Sequence, residues 1–139
     1  MDNLKLENQI CFPLYVCSKE IIRRYKPFLD EINLTYTQYI VMMVLWEEKE
    51  ISFRDLSKRL YLESNTLTPV LNKLEDKGFI VKKKLENNDK NLNLTITKKG
   101  QKLKEKAKKI PEKMGKCAII QESDFETLKE ILERTMKLI

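Results

Sequence analysis

Histidine is absent from this chain. That removes Ser-His and Cys-His catalytic pairs and every histidine-containing metal site from consideration. Cysteine is scarce: Cys11, Cys17 and Cys117 lack the paired C-x-x-C spacing of a zinc site. A standing disulfide framework is not expected in a cytosolic chain, so a cysteine with a special role here is a reactive one. Three glycines, four prolines and no low-complexity tract describe a folded, helix-rich chain. No apolar run approaches the roughly 20 residues that span a bilayer. The N-terminal MDNLKLENQ also lacks the cationic and apolar regions of a signal peptide. A cytoplasmic protein is expected, with no cofactor and no metal.

The 139 residues suffice for one domain with a real core, or for one subunit of an intertwined oligomer. The net charge of +6 suggests an anionic partner. Its distribution is more telling. Residues 51–100 hold eleven Lys or Arg against six Asp or Glu, whereas residues 1–50 hold six against eight. The basic excess peaks in one segment, with Lys82, Lys83 and Lys84 at its centre. A lysine run on a strand often only discourages aggregation. Next to a helix-turn-helix motif, phosphate contact is the better reading.

That motif lies between Ser52 and Gly100. Ser52 and Asp55 form an S-x-x-D helix start, and Leu56 and Leu60 then share one face. Leu62-Glu63 reads as a tight connection. Ser64 is the expected N-cap of a second helix whose Leu67, Val70, Leu71 and Leu74 face inward before Gly78 ends it. The pattern is helix-turn-helix. The helical period then turns Asn65, Thr68 and Asn72 outward, with Thr66 and Lys73 at the margin. Small polar and cationic side chains of this kind reach base edges or phosphates in a major groove, although any solvated helix also shows a polar face. Ile80–Leu85 and Leu92–Ile96 read as strands, the second alternating Leu92, Leu94 and Ile96 against Asn93 and Thr95. A helix-turn-helix followed by a β-hairpin is a winged helix. The fold class expected is mainly α with a small β-wing.

The first long helix, LENQICFPLYVCSKEIIRRYKPFLDEI, carries two apolar stripes, too wide for one face of a small monomer. Packing against a second subunit is expected. Asn8 is the candidate N-cap, and Pro13 is tolerable only near a helix start. Cys11 then sits in the first turn, where the positive end of the helix dipole favours a thiolate. Tyr25 lies fourteen residues further on, about 21 Å along a straight helix. Tyr36 opens the next helix, where Thr35 and Gln38 make a T-x-x-Q capping box. Cys11 and Tyr25 can therefore meet only across subunits, in an antiparallel pairing about a twofold axis. Most free cysteines, by contrast, are small buried hydrophobes. Cys17 is about 9 Å from Cys11 along the helix, beyond the roughly 7 Å limit for a bridge, and is taken as packing.

After the wing, Lys98–Lys109 reads as a basic helix and Ile110-Pro111 as a break. Glu122–Leu138 reads as a final amphipathic helix with Phe125, Leu128, Ile131, Leu132 and Met136 inward. Residues 1–33 and 101–139 are taken as dimerisation helices around a winged helix-turn-helix at 34–100, all within one domain spanning 1–139.

The string LENQICFPLYVCSKEIIRRYKPFLDEINLTYTQYIVMMVLWEE, followed by LYLESNTLTPVLNKLEDKGFIVKKK, resembles the organic-hydroperoxide-sensing (OhrR-type) repressors of the MarR family over nearly the whole chain. In that family a cysteine in an L-C-F-type context senses peroxide, and two tyrosines of the partner subunit hold its thiolate. Cys11, Tyr25 and Tyr36 fall at the matching spacings. The resemblance implies an intertwined winged-helix homodimer that binds pseudo-palindromic double-stranded DNA and usually represses a neighbouring gene. It also implies a resolving role for Cys117, as in the two-cysteine branch. The family's wing motif Asp-x-Arg is replaced here by Asn88 and Lys90, and lysine supplies charge without the planar fork.

The expected function is that of a redox-sensing repressor, not an enzyme. Recognition helices from about Asn65 to Lys77 would enter successive major grooves, with Lys82–Lys84 and Lys90 on phosphates or in the minor groove. An organic hydroperoxide would enter an apolar pocket lined in part by Phe12, Tyr25 and Tyr36 and oxidise Cys11. One alternative is a repressor released by a phenolic or drug-like ligand. Another is a thiol peroxidase, which would have no use for Ser52 to Gly100.

Overall fold

Nearly every turn of the sequence YTQYIVMMVLWEE is apolar, and a helix apolar all round belongs at the centre of a domain. In the computed structural model, which describes residues 2–84, 92–116 and 119–139, this segment is helix α2 (Tyr36–Glu48). It buries Tyr39, Val41, Met42, Val44, Leu45 and Trp46. The expected capping box is present: the Gln38 amide N–H donates to Thr35 Oγ1 at 3.3 Å, and the Thr35 N–H donates to Gln38 Oε1 at 3.1 Å.

Helix α1 (Cys11–Glu31) precedes it and buries only Leu29. It starts later than the sequence suggested. Asn8 is not its cap; Leu6–Asn8 form a 3-10 turn, and the position before the helix is Ile10. Pro13 explains the delay, because its ring clashes with the carbonyl four residues back and so keeps Gln9 out of the helix. The chain turns through Asn33, at φ +57°, into α2.

A short strand β1 (Glu50–Ser52) follows, then α3 (Phe53–Leu60) and α4 (Ser64–Asp76). Ser52 caps α3, its Oγ accepting from the Asp55 N–H at 3.1 Å. Tyr61 adopts the left-handed conformation that ends α3. The expected cap of α4 is displaced by one residue: Thr66 and Leu67 N–H donate to the Glu63 carbonyl, so Ser64 is already helical. Leu67, Leu71 and Leu74 are buried as expected, and Val70 packs against them half-buried. Gly78, at φ +82°, closes α4, with Phe79 N–H returning to the Leu74 carbonyl at 3.0 Å.

Strands β2 (Ile80–Lys84) and β3 (Leu92–Ile96) form the hairpin, and the antiparallel sheet order is β1-β3-β2. β1 was not foreseen, since three residues are too few to show alternation. Its presence corrects the reading of β3. Asn93 is buried, not solvent-facing, because it lies opposite Ser52 and its amide donates to the Glu50 carboxylate.

Helix α5 (Lys98–Ala107) is capped by Thr97, whose Oγ1 accepts from the Gly100 N–H at 3.1 Å. It ends at Ala107, short of the expected Lys109. Ile110-Pro111 is not a break but the start of α6 (Ile110–Lys116), where a proline in the first turn removes no helical hydrogen bond. Helix α7 (Phe125–Met136) follows a 3-10 turn. Its apolar residues do not face inward in this chain: Phe125 is 51% exposed, Ile131 44%, Leu132 41% and Met136 42%. Ile10, Phe12, Leu14, Tyr15, Val16 and Ile22 of the N-terminal region are similarly uncovered. Among the described residues, no helix is long and apolar enough to cross a membrane.

Candidate functional site

Cys11 is the first residue of α1 and is exposed. Tyr25 lies on the same uninterrupted helix, so the two remain about 21 Å apart within one chain. Tyr25 and Tyr36 are brought together, with ring centroids 5.2 Å apart. Tyr39, one turn beyond Tyr36 and not singled out from the sequence, completes the group at 5.8 Å from Tyr25 and 6.4 Å from Tyr36. The Tyr36/Tyr39 spacing on one helix was the signal available for it. Burial raises all three phenols above their ordinary range, Tyr39 to about 12. The neighbouring phenols add to the shift at Tyr25 and Tyr39. They therefore stay protonated, as hydrogen-bond donors to an anion must.

Tyr25 also borders a cavity of about 630 Å³ with Ile21, Pro111, Met114, Phe125 and Glu122. Phe12 is not part of it; it lines a separate surface cleft with Lys5, Leu6 and Glu7. Nor does Tyr36 line this cavity, so the expected grouping of Phe12, Tyr25 and Tyr36 around one pocket does not hold within a chain. Cys17, taken as a packing residue, is exposed within its own chain. Cys117 and Lys90 lie outside the described residues.

The phenols connect to α4 through α2. Lys77, just past α4, donates to the Asn33 carbonyl at 2.7 Å and to Gln38 Oε1 at 2.8 Å. A second route runs from Tyr39 to Trp46, at 6.3 Å, whose indole N–H donates to the Gly100 carbonyl at 2.9 Å. Gly100 packs so closely on Phe79 that a Cβ there would stand 2.3 Å from the Phe79 carbonyl oxygen.

On α4, Asn65, Thr66, Thr68, Asn72 and Lys73 are all exposed on the side opposite the buried leucines. Lys83 and Lys84 of β2 are exposed beside them. Lys82 differs. It is half-buried against α4, its ammonium donates to Asn72 Oδ1 and lies 3.7 Å from Glu75, and its backbone N–H donates to Glu75 Oε2 at 3.0 Å. Glu75 was missed because an acidic residue on a candidate DNA-reading helix has no evident use until Lys82 is seen beside it.

The description "transcriptional regulator SarA/Rot" matches residues 23–107. The organic hydroperoxide resistance transcriptional regulator of Bacillus subtilis (strain 168) is 44% identical over 110 residues, covering 79% of this chain and 75% of the relative. Among solved structures, reduced AbfR bound to DNA gives a TM-score of 0.80 at 30% identity, covering 98% of this chain and 95% of that one. The disulfide form of AbfR gives 0.67 at 31% identity, covering 97% and 95%. With its winged helix and these relatives, which are regulators and not enzymes, the chain belongs to the SarA/Rot family of MarR-type transcriptional regulators.

Proposed function

We propose that this regulator is a homodimeric repressor that binds a pseudo-palindromic operator when reduced and leaves it when an organic hydroperoxide oxidises Cys11. The observation that carries the reading is the separation of sulfur from phenols. Cys11 opens α1, whereas Tyr25 lies fourteen residues further along it and packs against Tyr36 at the start of α2. A second copy running antiparallel brings Cys11 to Tyr25 and Tyr36 of the partner subunit, and the uncovered apolar stripes of α1 and α7 supply the surface for such a pairing. The B. subtilis relative supports the oxidant class, and the reduced, DNA-bound AbfR structure supports the DNA partner.

The Cys11 thiolate attacks the hydroperoxide's distal oxygen and the O–O bond breaks; the sulfur becomes a sulfenic acid, and the alkoxide leaves as the alcohol by taking back from solvent the proton the thiol had released. The Cys117 thiol of the other subunit then displaces water from it, forming an intersubunit disulfide. The α4 helices, through Asn65, Thr66, Thr68, Asn72 and Lys73, read two major grooves of one duplex, while Lys83, Lys84 and Lys90 neutralise phosphate. Because both heads must fit the duplex together, a modest change in their spacing loses most of the affinity.

Operator affinity, titrated with a lipophilic hydroperoxide, tests this. Wild type should release, Cys11→Ser should stay bound, and non-reducing electrophoresis should show a covalent dimer that Cys117→Ser abolishes. Equal grip before and after oxidation would defeat the proposal. The cavity beside Tyr25 favours one second reading, release by an apolar phenolic ligand. In that case Cys11→Ser would still let go when such a ligand is added.

A further inference from the structure

The alternation of β2 sets two of its lysines to different tasks. Ile80 is buried and Lys82, two residues on, shares its face, so Lys82 lies against α4 while Val81 and Lys83 lie on the opposite face. Only 23% of the Lys82 side chain is exposed. Glu75 holds it twice, by accepting its backbone N–H at 3.0 Å and by standing 3.7 Å from its ammonium. So held, the ammonium donates to the side-chain carbonyl of Asn72. A lysine already paired with a carboxylate and an amide gains less from a phosphate than an unpaired one does.

The consequence falls on Asn72. It sits near the middle of the outward face of α4, in line with Asn65 and Thr68, and is exposed. An asparagine free to rotate reads adenine through both ends of its amide, accepting from N6–H and donating to N7. Here a cation occupies one of the two lone pairs of the accepting end, and its positive charge disfavours a second donor hydrogen at the other. What the pair presents to a base is therefore mainly donors, the Asn72 Nδ2 hydrogens and the remaining hydrogens of the Lys82 ammonium. In the major groove the edge with two acceptors and no donor is guanine, with N7 and O6. Adenine and cytosine each present an N–H₂ donor that would face these donors.

We infer that Asn72 and Lys82 form one reading unit for guanine, in which Lys82, itself held by Glu75, is a positioning and specificity residue and not a phosphate contact. The inference rests on the DNA-reading function proposed above and names what one point of the operator must be. It also reassigns Lys82 among the lysines of the wing, leaving Lys83 and Lys84 to the backbone.

Selection from a randomised duplex pool by the purified full-length dimer, followed by affinity measurement on the selected site at several salt concentrations, tests it. Wild type should select guanine at one symmetry-related position in each half-site. Replacement there by adenine, or by 7-deazaguanine, which lacks N7, should weaken binding roughly 5- to 100-fold. Asn72→Ala, a change on an exposed helix face, and Lys82→Met should each flatten the preference at that position alone, with the salt dependence of binding unchanged. Three results would overturn the inference: selection of adenine at the Asn72-dependent position, unchanged preference in either variant, or uniform weakening by Lys82→Met with a salt slope reduced by about 2 per dimer, the mark of two lost phosphate contacts. A wild-type dimer that selects no sequence at all would instead overturn the DNA-reading function, and this inference with it.

Discussion

The Lys77 ammonium, just past α4, donates to the Gln38 side chain at 2.8 Å, two residues from Tyr36 on α2. Burial, with the nearby charge of Lys73, pulls this ammonium below its ordinary range, so the contact is made in a partly desolvated place. Gln38 is 2% exposed and also closes the α2 cap, which leaves it no solvent partner if Lys77 is removed. Lys77→Met should therefore lower stability by about 1–2 kcal/mol, discounted for the partial exposure of the lysine. A shift of the urea midpoint measures this. If the contact also carries the state of the phenols to α4, the same variant should narrow the ratio between reduced and oxidised operator affinities. An unchanged ratio would confine Lys77 to stability.

The tyrosine cluster should be visible in an alkaline titration. Tyr25, Tyr36 and Tyr39 are all raised, Tyr39 to about 12, and burial is the first cause in each. A phenol whose folded value lies above its unfolded one contributes stability that is fully present below the unfolded value, near pH 10. That contribution is lost as pH rises through the folded value. Stability should accordingly fall by roughly 1–3 kcal/mol between pH 10 and 12. Tyrosinate absorbance should show these phenols ionising late, and Tyr39→Phe should remove the latest phase. Ionisation of every phenol in one step near pH 10 would contradict the packing described.

Much of the reading apparatus was legible because its signals are local. Ser52 with Asp55, Thr35 with Gln38, the leucines of α4 and the stop at Gly78 are each fixed by residues within one or two turns. What escaped depends on distance in the chain. β1 is three residues long and exists only because β3 pairs with it, and that pairing is what buries Asn93. Lys82 looked like its neighbours until the strand's register set it against Glu75 and Asn72. The apolar face of α7 was legible as a stripe and was taken as a dimerisation element; within its own chain it is uncovered, since periodicity marks a stripe and does not say which chain covers it.

Gly100 offers a test of how tightly the wing root is tied to the core. Its amide is held by Thr97, its carbonyl accepts from Trp46, and a Cβ would collide with the Phe79 backbone. Because the obstacle is backbone and not the tip of a flexible side chain, Gly100→Ala should cost about 3 kcal/mol, at the upper end for overpacking. Trp46 is the only tryptophan, so its fluorescence reports the same place. The variant should unfold at lower denaturant, with an emission maximum shifted to the red in the native state. Wild-type stability in Gly100→Ala would mean that the helix start at Thr97 can move as a unit, and that the wing root is softer than its contacts imply.

The covering of α7 can be decided by one charge. Ile131 and Leu132 are 44% and 41% exposed on a helix that buries nothing within its own chain. If a second copy covers them, Leu132→Glu places a carboxylate in each half of a symmetric interface. Burying an unpaired charge there costs several kcal/mol, about 3 at the least, and that alone raises the dissociation constant by more than 100-fold. Sedimentation at micromolar concentration should then show monomer where wild type shows dimer. The core of α2 and α4 lies elsewhere and should be spared, so helical content should persist while operator binding collapses, because a lone winged helix grips only one half-site. If Leu132→Glu remains dimeric and binds as wild type does, α7 is not part of the interface, and the apolar face of α1 must hold the two subunits without it.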